Sequence, residues 1–457
     1  MLFPSHAFLL LFLPLTAGIY HCFTMSGKAR FRLLLASSLV FYTWWDPRFL
    51  PLLLGTIVLN WGLAREYCRR PRTWVVDLGI ALNLMVIGCF KYANFLAESA
   101  LALLGIPFTA WNIILPLGIS FFTFQQISYL LDLRRGQAPS YSLGEFAAYV
   151  SFFPQLIAGP IVRHNELIPQ FATVLSTRIE PECIARGMIL FVLGLGKKVF
   201  LADKLAPIAD AGFAVASSGT PDVFMAWQGA TAYTFQLYFD FSGYSDMAMG
   251  LAAMFGFDLP LNFSKPYRAS SIREFWRTWH MTLSRFLRDY LYIPLGGSRR
   301  GPARTYVAAL TTMLFCGLWH GAGWTFIAWG GLHGLAVCVN RAWCDSGLRM
   351  PRLVAWALTF VFVVLCWVLF RAENFFIAAN MFRGMFSLQG IGNFDDDAWL
   401  VIAFGAFFSI VGFSNVELAR SRYVEHRAVA VLLGLSLVAV VLRIGQGRAL
   451  EFIYFQF

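Results

Sequence analysis

The stretch TTMLFCGLWHGAGW, Thr311 to Trp324, carries His320 between Trp319 and Gly321 at the end of an apolar run. Imidazole is the side chain whose ordinary pKa lets it take and return a proton near neutrality. An ionisable group inside a hydrophobic span is costly and faces a bundle interior or a watery cavity. Two readings of His320 are open from these residues. One is a general base reached through a cavity. The other is a neutral, hydrogen-bonded histidine joining two helices, with Gly317, Gly321 and Gly323 there for close packing. Upstream, YFDFSGYSDMAMG places Asp240 and Asp246 in an apolar stretch, and buried carboxylates need partners. The basic segment that follows or His280 can supply them; an acidic turn joining two helices, capped by Ser242, is the competing reading. No GxSxG or SxxK arrangement offers a serine nucleophile. The eight cysteines are scattered without CxxC or metal spacing, so they read as small apolar residues and no metal site is expected.

The elements that must hold these residues are membrane helices. The chain is 58% hydrophobic and only 13% charged, with mean hydropathy +0.62, against about 25% charged in soluble domains. Apolar segments fall near 6–23, 31–45, 49–63, 74–90, 111–131, 145–160, 187–201, 224–239, 243–257, 306–320, 324–342, 353–370, 398–415 and 428–443. Breaks by Gly and Pro are tolerated where backbone is buried in protein or lines a cavity, which marks 145–160 as a re-entrant candidate. No internal repeat or soluble insert appears, so residues 1–457 read as one all-α polytopic domain. The first apolar run has neither a basic n-region nor a cleavage site and reads as an uncleaved span. The net charge of +11 sits in short loops, where it sets topology rather than binding nucleic acid. Lys28, Arg30 and Arg32, then Arg65, Arg69, Arg70 and Arg72, then Arg134 and Arg135 mark inner loops. Both termini are thereby expected outside.

The most basic inner stretch is 264–305, with nine Lys or Arg against Glu274 and Asp289. It is too polar to span. At 100° per residue Ile272, Phe275, Trp276, Trp279, Leu283, Phe286, Leu287 and Tyr290 share one face. Ser271 with Glu274 predicts a capping box, and Pro294 with Gly296 and Gly297 predicts the stop, giving one helix from 271 to 290. Arg273, Arg277, Ser284 and Arg288 lie on the adjoining face, with His280 at the border. An interfacial helix binding anionic lipid and a lip for a phosphate-bearing cosubstrate both fit this pattern. The chain ends in an aromatic tail at 452–457, FIYFQF, which suits an interfacial anchor.

The strings YFDFSGYSDMAMGL, EFWRTWHMTLSRFLRDYLYIPLGG and GLWHGAGWTFIAWGGLHG, in that order, closely resemble the membrane-bound O-acyltransferase superfamily. The match is to its bacterial branch that acetylates exported envelope polymers, typified by alginate O-acetyltransferases. It extends to LPLGISFFTFQQISYLLDLRRG, FFPQLIAGPIVRH and the terminal FIYFQF, and so covers nearly the whole chain. The resemblance implies a bundle of about 11–14 spanning or re-entrant helices around a funnel or tunnel. It implies catalysis by His320, with Trp319 beside it, and a second catalytic histidine at His280, which would orient the thioester carbonyl, stabilise developing charge or merely pack; His333 sits at a family-typical position and reads as structural. It implies acetyl-CoA as acyl donor, with no permanently bound cofactor, and the nucleotide phosphates on Arg273, Arg277 and Arg288. It also implies a bacterial inner membrane, polysaccharide synthesis and export machinery as context, and a periplasmic SGNH-type acetyltransferase as partner. Tyr454 becomes the candidate transient acyl carrier. A transporter using intramembrane histidines and a lipid or protein acyltransferase of the same superfamily are the competing functions; ordered motifs and the lack of inverted repeats weigh against the transporter.

Overall fold

The computed structural model describes the chain except residues 23–24, 178, 388–394, 413, 420–426, 445–451 and 454–457. In chain order the helices are α1 (Ala7–Cys22), α2 (Gly27–Thr43), α3 (Leu50–Arg69), α4 (Thr73–Leu103), α5 (Ile119–Arg134), α6 (Leu143–Ser151), α7 (His164–Val174), α8 (Pro181–Gly196), α9 (Asp203–Ser218) and α10 (Val223–Met254). There follow α11 (Ile272–Thr278), α12 (Met281–Leu287), α13 (Pro302–His320), α14 (Trp324–Asp345), α15 (Arg352–Arg371), α16 (Phe375–Phe386), α17 (Asp396–Ala406), α18 (Asn415–Ala419) and α19 (Arg427–Ile444). Among the described residues there is no β-strand. By length and apolar composition, Pro47–Arg69, Thr73–Leu103 and Arg352–Arg371 are long enough to cross a membrane, and α1, α16 and Ala428–Ile444 are shorter apolar helices. The chain is thus an all-α membrane protein.

Two compact units result, each assembled from stretches distant in sequence. One holds Met1–Val192, Tyr244–Pro260 and Ala419–Ala449; the other holds Leu193–Gly243, Leu261–Leu418 and Leu450–Phe457. In the first, α3, α4 and α5 are tied by buried amides. Asn83 donates to Asn60 Oδ1 at 2.6 Å and Asn60 donates to Gln126 Oε1 at 2.9 Å. Such side-chain bonds hold helices together where no hydrophobic gain separates protein from lipid. The second unit contains every histidine and arginine to which the sequence points for chemistry.

Four local departures from the sequence expectation have clear causes. The segment placed at 111–131 begins its helix only at Ile119, because Pro116 disfavours helical backbone at the residue before it. The expected helix break near Ser242 does not occur: 224–239 and 243–257 are one helix, α10, and the connecting-turn reading of Asp240 and Asp246 is withdrawn. Gly243 there serves contact rather than a turn. A Cβ on it would meet Gly194 O at 2.7 Å, so α10 and α8 touch through backbone. Three longer helices fall outside the expected segments, α7, α9 and α16, because at 11, 16 and 12 residues each is shorter than a span.

Candidate active site

The expected helix 271–290 is broken at its centre. α11 ends at Thr278, His280 takes a left-handed conformation with φ 42° and ψ 54°, and α12 restarts at Met281. A side chain bearing Cβ adopts this conformation only when its surroundings impose it. Here the imposing group is Asn262. Its backbone carbonyl accepts from Met281 N–H at 2.9 Å, and its Oδ1 accepts from Thr282 Oγ1 at 2.8 Å and lies 3.0 Å from His280 Nδ1. Ser271 caps α11 by accepting from Glu274 N–H, but Glu274 reaches back to Ser270 N–H at 2.8 Å rather than to Ser271. The apolar face survives the break: Ile272, Phe275, Trp276, Trp279, Leu283, Phe286 and Leu287 are all buried, with Tyr290 half-buried.

This geometry decides the tautomer of His280. Asn262 Oδ1 takes two Thr282 donors and so is an acceptor toward the imidazole, which must carry its proton on Nδ1. Nε2 is left as a lone pair, with no hydrogen-bond partner among the described residues. His280 is 0% exposed, and burial pushes its pKa down from 6.5 to about 3. It is a neutral acceptor, not a source of protons.

His320 ends α13 and is 2% exposed. Its ring centroid lies 6.4 Å from that of His280, 4.9 Å from Trp319, and 5.2 Å from both Trp329 and Phe370. The hairpin of α13 and α14 holds it. A Cβ on Gly317 would collide with the carbonyl of Phe326 and one on Gly330 with that of Met313, so the two helices approach to backbone contact. Gly323 has no such constraint, its nearest neighbour being 3.5 Å away. His333, on α14, accepts from Trp276 Nε1 at 3.2 Å through Nδ1, which joins α14 to the first half of the broken basic segment. Trp279, Trp329 and Trp367 fill the space around these rings, with Trp367 5.1 Å from Trp279 and stacked on Trp329 at 5.6 Å.

A cavity of about 360 Å³ adjoins this core. Arg273, Arg277 and Arg288 all line it, as their shared face requires, and Ser284 lies with them. Arg341, on α14, is a fourth arginine there that sequence reasoning missed, since nothing in the local pattern shows that α14 returns to the basic segment. Arg273 is fixed by Asn340 Oδ1 at 2.8 Å, and the hydrogen bond from Arg288 to Asp289 raises the arginine's pKa and keeps it charged. From the arginines the lining follows one face of α13 through Thr305, Ala309, Thr312 and Met313. His320 lies seven residues further along the same helix, about 10 Å. Among the described residues no cluster of three metal-ligating side chains occurs.

Residues 76–379 match the membrane-bound O-acyltransferase (MBOAT) family. The chain belongs to that family. It is similar to the probable alginate O-acetylase AlgI of Azotobacter vinelandii, at 47% identity over 401 residues, covering 85% of this chain and 78% of that protein. The peptidoglycan O-acetyltransferase of Helicobacter pylori is 42% identical over 430 residues, 86% of this chain and 81% of that protein. More distantly, the teichoic acid D-alanyltransferase of Streptococcus thermophilus is 29% identical over 236 residues, 50% of this chain and 57% of that protein. As an MBOAT chain the protein is a membrane-bound acyltransferase. Of its remaining candidate residues, Asp240 is buried in the second unit and Asp246 in the first, while Tyr454 lies outside the described residues.

Proposed function

We propose that this chain is a membrane O-acetyltransferase that takes acetyl from acetyl-CoA at the inner face of a bacterial cytoplasmic membrane and delivers it outward for an exported envelope polysaccharide. The observation that carries the reading is the four-arginine cavity whose wall is the helix that ends in His320. Arginine forks match phosphate geometry. The anionic nucleotide stays on Arg273, Arg277, Arg288 and Arg341, while the apolar run of α13 accepts the pantetheine arm and its thioester.

His320, as a neutral base, takes the proton of an attacking hydroxyl while its oxygen bonds to the thioester carbonyl carbon. The C–S bond then breaks and the thiolate leaves, collecting that proton to become CoA thiol. His280, with its bare Nε2, accepts a hydrogen bond and so orients the attacking hydroxyl or the N–H of His320; it has no proton to give the carbonyl. We assign the first acceptor to Tyr454, with a periplasmic SGNH-type acetyltransferase completing transfer to the polymer and both chain termini on the periplasmic side. The similarity to alginate and peptidoglycan O-acetyltransferases supports acetyl as the group and an envelope glycan as the destination.

The test uses membranes holding the full chain and radiolabelled acetyl-CoA. His320→Ala, with insertion and thermal stability unchanged, is expected to lose at least about 100-fold in transfer. Undiminished labelling would remove His320 from the mechanism.

A further inference from the structure

Asp240 is 2% exposed within α10 and carries a charge that the proposed chemistry does not use. Its Oδ1 lies 2.8 Å from Lys198 Nζ, and the same ammonium lies 2.9 Å from Asp203 at the start of α9. A single lysine thus faces two carboxylates. The second oxygen of Asp240 has a different partner: Oδ2 accepts the backbone N–H of Ile453 at 2.7 Å. Phe452 and Ile453 are themselves buried, and Phe452 packs on Phe241 with ring centroids 5.9 Å apart. Phe241 is also edge-on to His280 at 4.7 Å and to Phe263 at 5.0 Å. Adjacent residues of α10 therefore grip the C-terminal segment by its backbone and touch the second histidine by a ring.

We propose that Asp240 is a positioning residue that seats segment 452–453 beside the two-histidine site, with Lys198 paired to Oδ1 so that Oδ2 is kept for the tail. A backbone donor makes the contact indifferent to side chain at 453 and specific for the height of the chain along α10. A charge-assisted hydrogen bond is about twice as strong as a neutral one, which suits the anchoring of a short segment. The seating stands by itself; its consequence for turnover rests on the proposed delivery of acetyl to Tyr454, one residue further on.

Two double variants isolate the acceptor. Lys198→Met with Asp240→Asn and Lys198→Met with Asp240→Leu both remove the Lys198–Asp240 pair at nearly constant volume and leave Asp203, whose side chain is 25% exposed, alike in both; only the first keeps an oxygen for Ile453 N–H. Replacing a buried ion pair by uncharged groups is often tolerated, whereas removing one partner is not. Amide hydrogen exchange of the C-terminal peptide in the full detergent-solubilised chain reads the seating directly. The Asn variant is expected to keep most of the wild-type protection, losing only the charge assistance, and the Leu variant to exchange about 10- to 100-fold faster. Equal protection in both variants would overturn the proposal. If the Leu variant does not fold, Ile453→Pro removes the same N–H in an otherwise native chain; retained protection of the flanking amides would again overturn it. In the acetyl-transfer assay the Leu variant is expected to lower kcat with KM for acetyl-CoA unchanged, and the Asn variant to restore it. Faster exchange with unchanged kcat supports the seating and refutes the tail as acyl acceptor.

Discussion

The two histidines of the site are held in opposite ways. His320 ends an unbroken helix whose position is set by glycine contacts along α13 and α14, so its support is steric and spread over several turns. His280 sits in a left-handed break whose shape comes from one side chain, Asn262, eighteen residues away in sequence. Glycine packing fixes where His320 sits, whereas the hydrogen-bonded break fixes the tautomer of His280 as well as its place. The difference suits the proposed roles, a base that exchanges protons beside an acceptor that does not.

The comparison breaks most readily at the glycines. Gly317→Val puts side-chain atoms into the Phe326 carbonyl and is expected to destabilise the chain by about 3 kcal/mol. The loss of monodisperse protein on heating in detergent reads the effect. Gly323→Ala, where space exists, is expected to change little; equal damage from both would mean that backbone contact does not hold His320.

A smaller effect is expected at the break. Asn262→Ala strands Thr282 Oγ1 and His280 Nδ1 inside the protein, at a cost of about 2 kcal/mol. Transfer activity should fall further than in a variant destabilised equally at a distant site, because the tautomer of His280 is freed. Matching losses would reduce Asn262 to a stability residue.

A third effect is in pH. His280 binds its proton near pH 3 when folded and near 6.5 when unfolded. Between those values the unfolded state binds more protons, so its contribution to stability is present above pH 6.5 and is lost as pH falls toward 3. His280→Asn, which tolerates the left-handed backbone, should flatten the decline in thermal stability between pH 7 and 4.5. An unchanged slope would show that other groups govern acid sensitivity.

Much of this was legible in the chain before any fold was known. Apolar runs of spanning length separated by short basic loops set the all-α membrane class, since a bilayer admits few other solutions. The period of 3.6 placed Arg273, Arg277, Ser284 and Arg288 on one face, and they do line one cavity even though the helix carrying them is broken. The acidic turn read at Asp240 and Asp246 with Ser242 as its cap is absent, because these residues lie inside α10, where Gly243 permits contact with α8, a packing role that no spacing along the chain reveals.

What the sequence by itself determined is the class of the molecule and the identity of its two histidines, because hydropathy, helical period and motif order are local properties. Only the tertiary structure decided which groups act on them. Asn262 on His280, Arg341 in the cavity, and Lys198 with Asp240 on the tail at Ile453 each join residues from separate helices or loops. Such partners are chosen by packing, since a buried donor or charge takes whatever acceptor folding brings within about 3 Å, and no spacing along the chain encodes that distance.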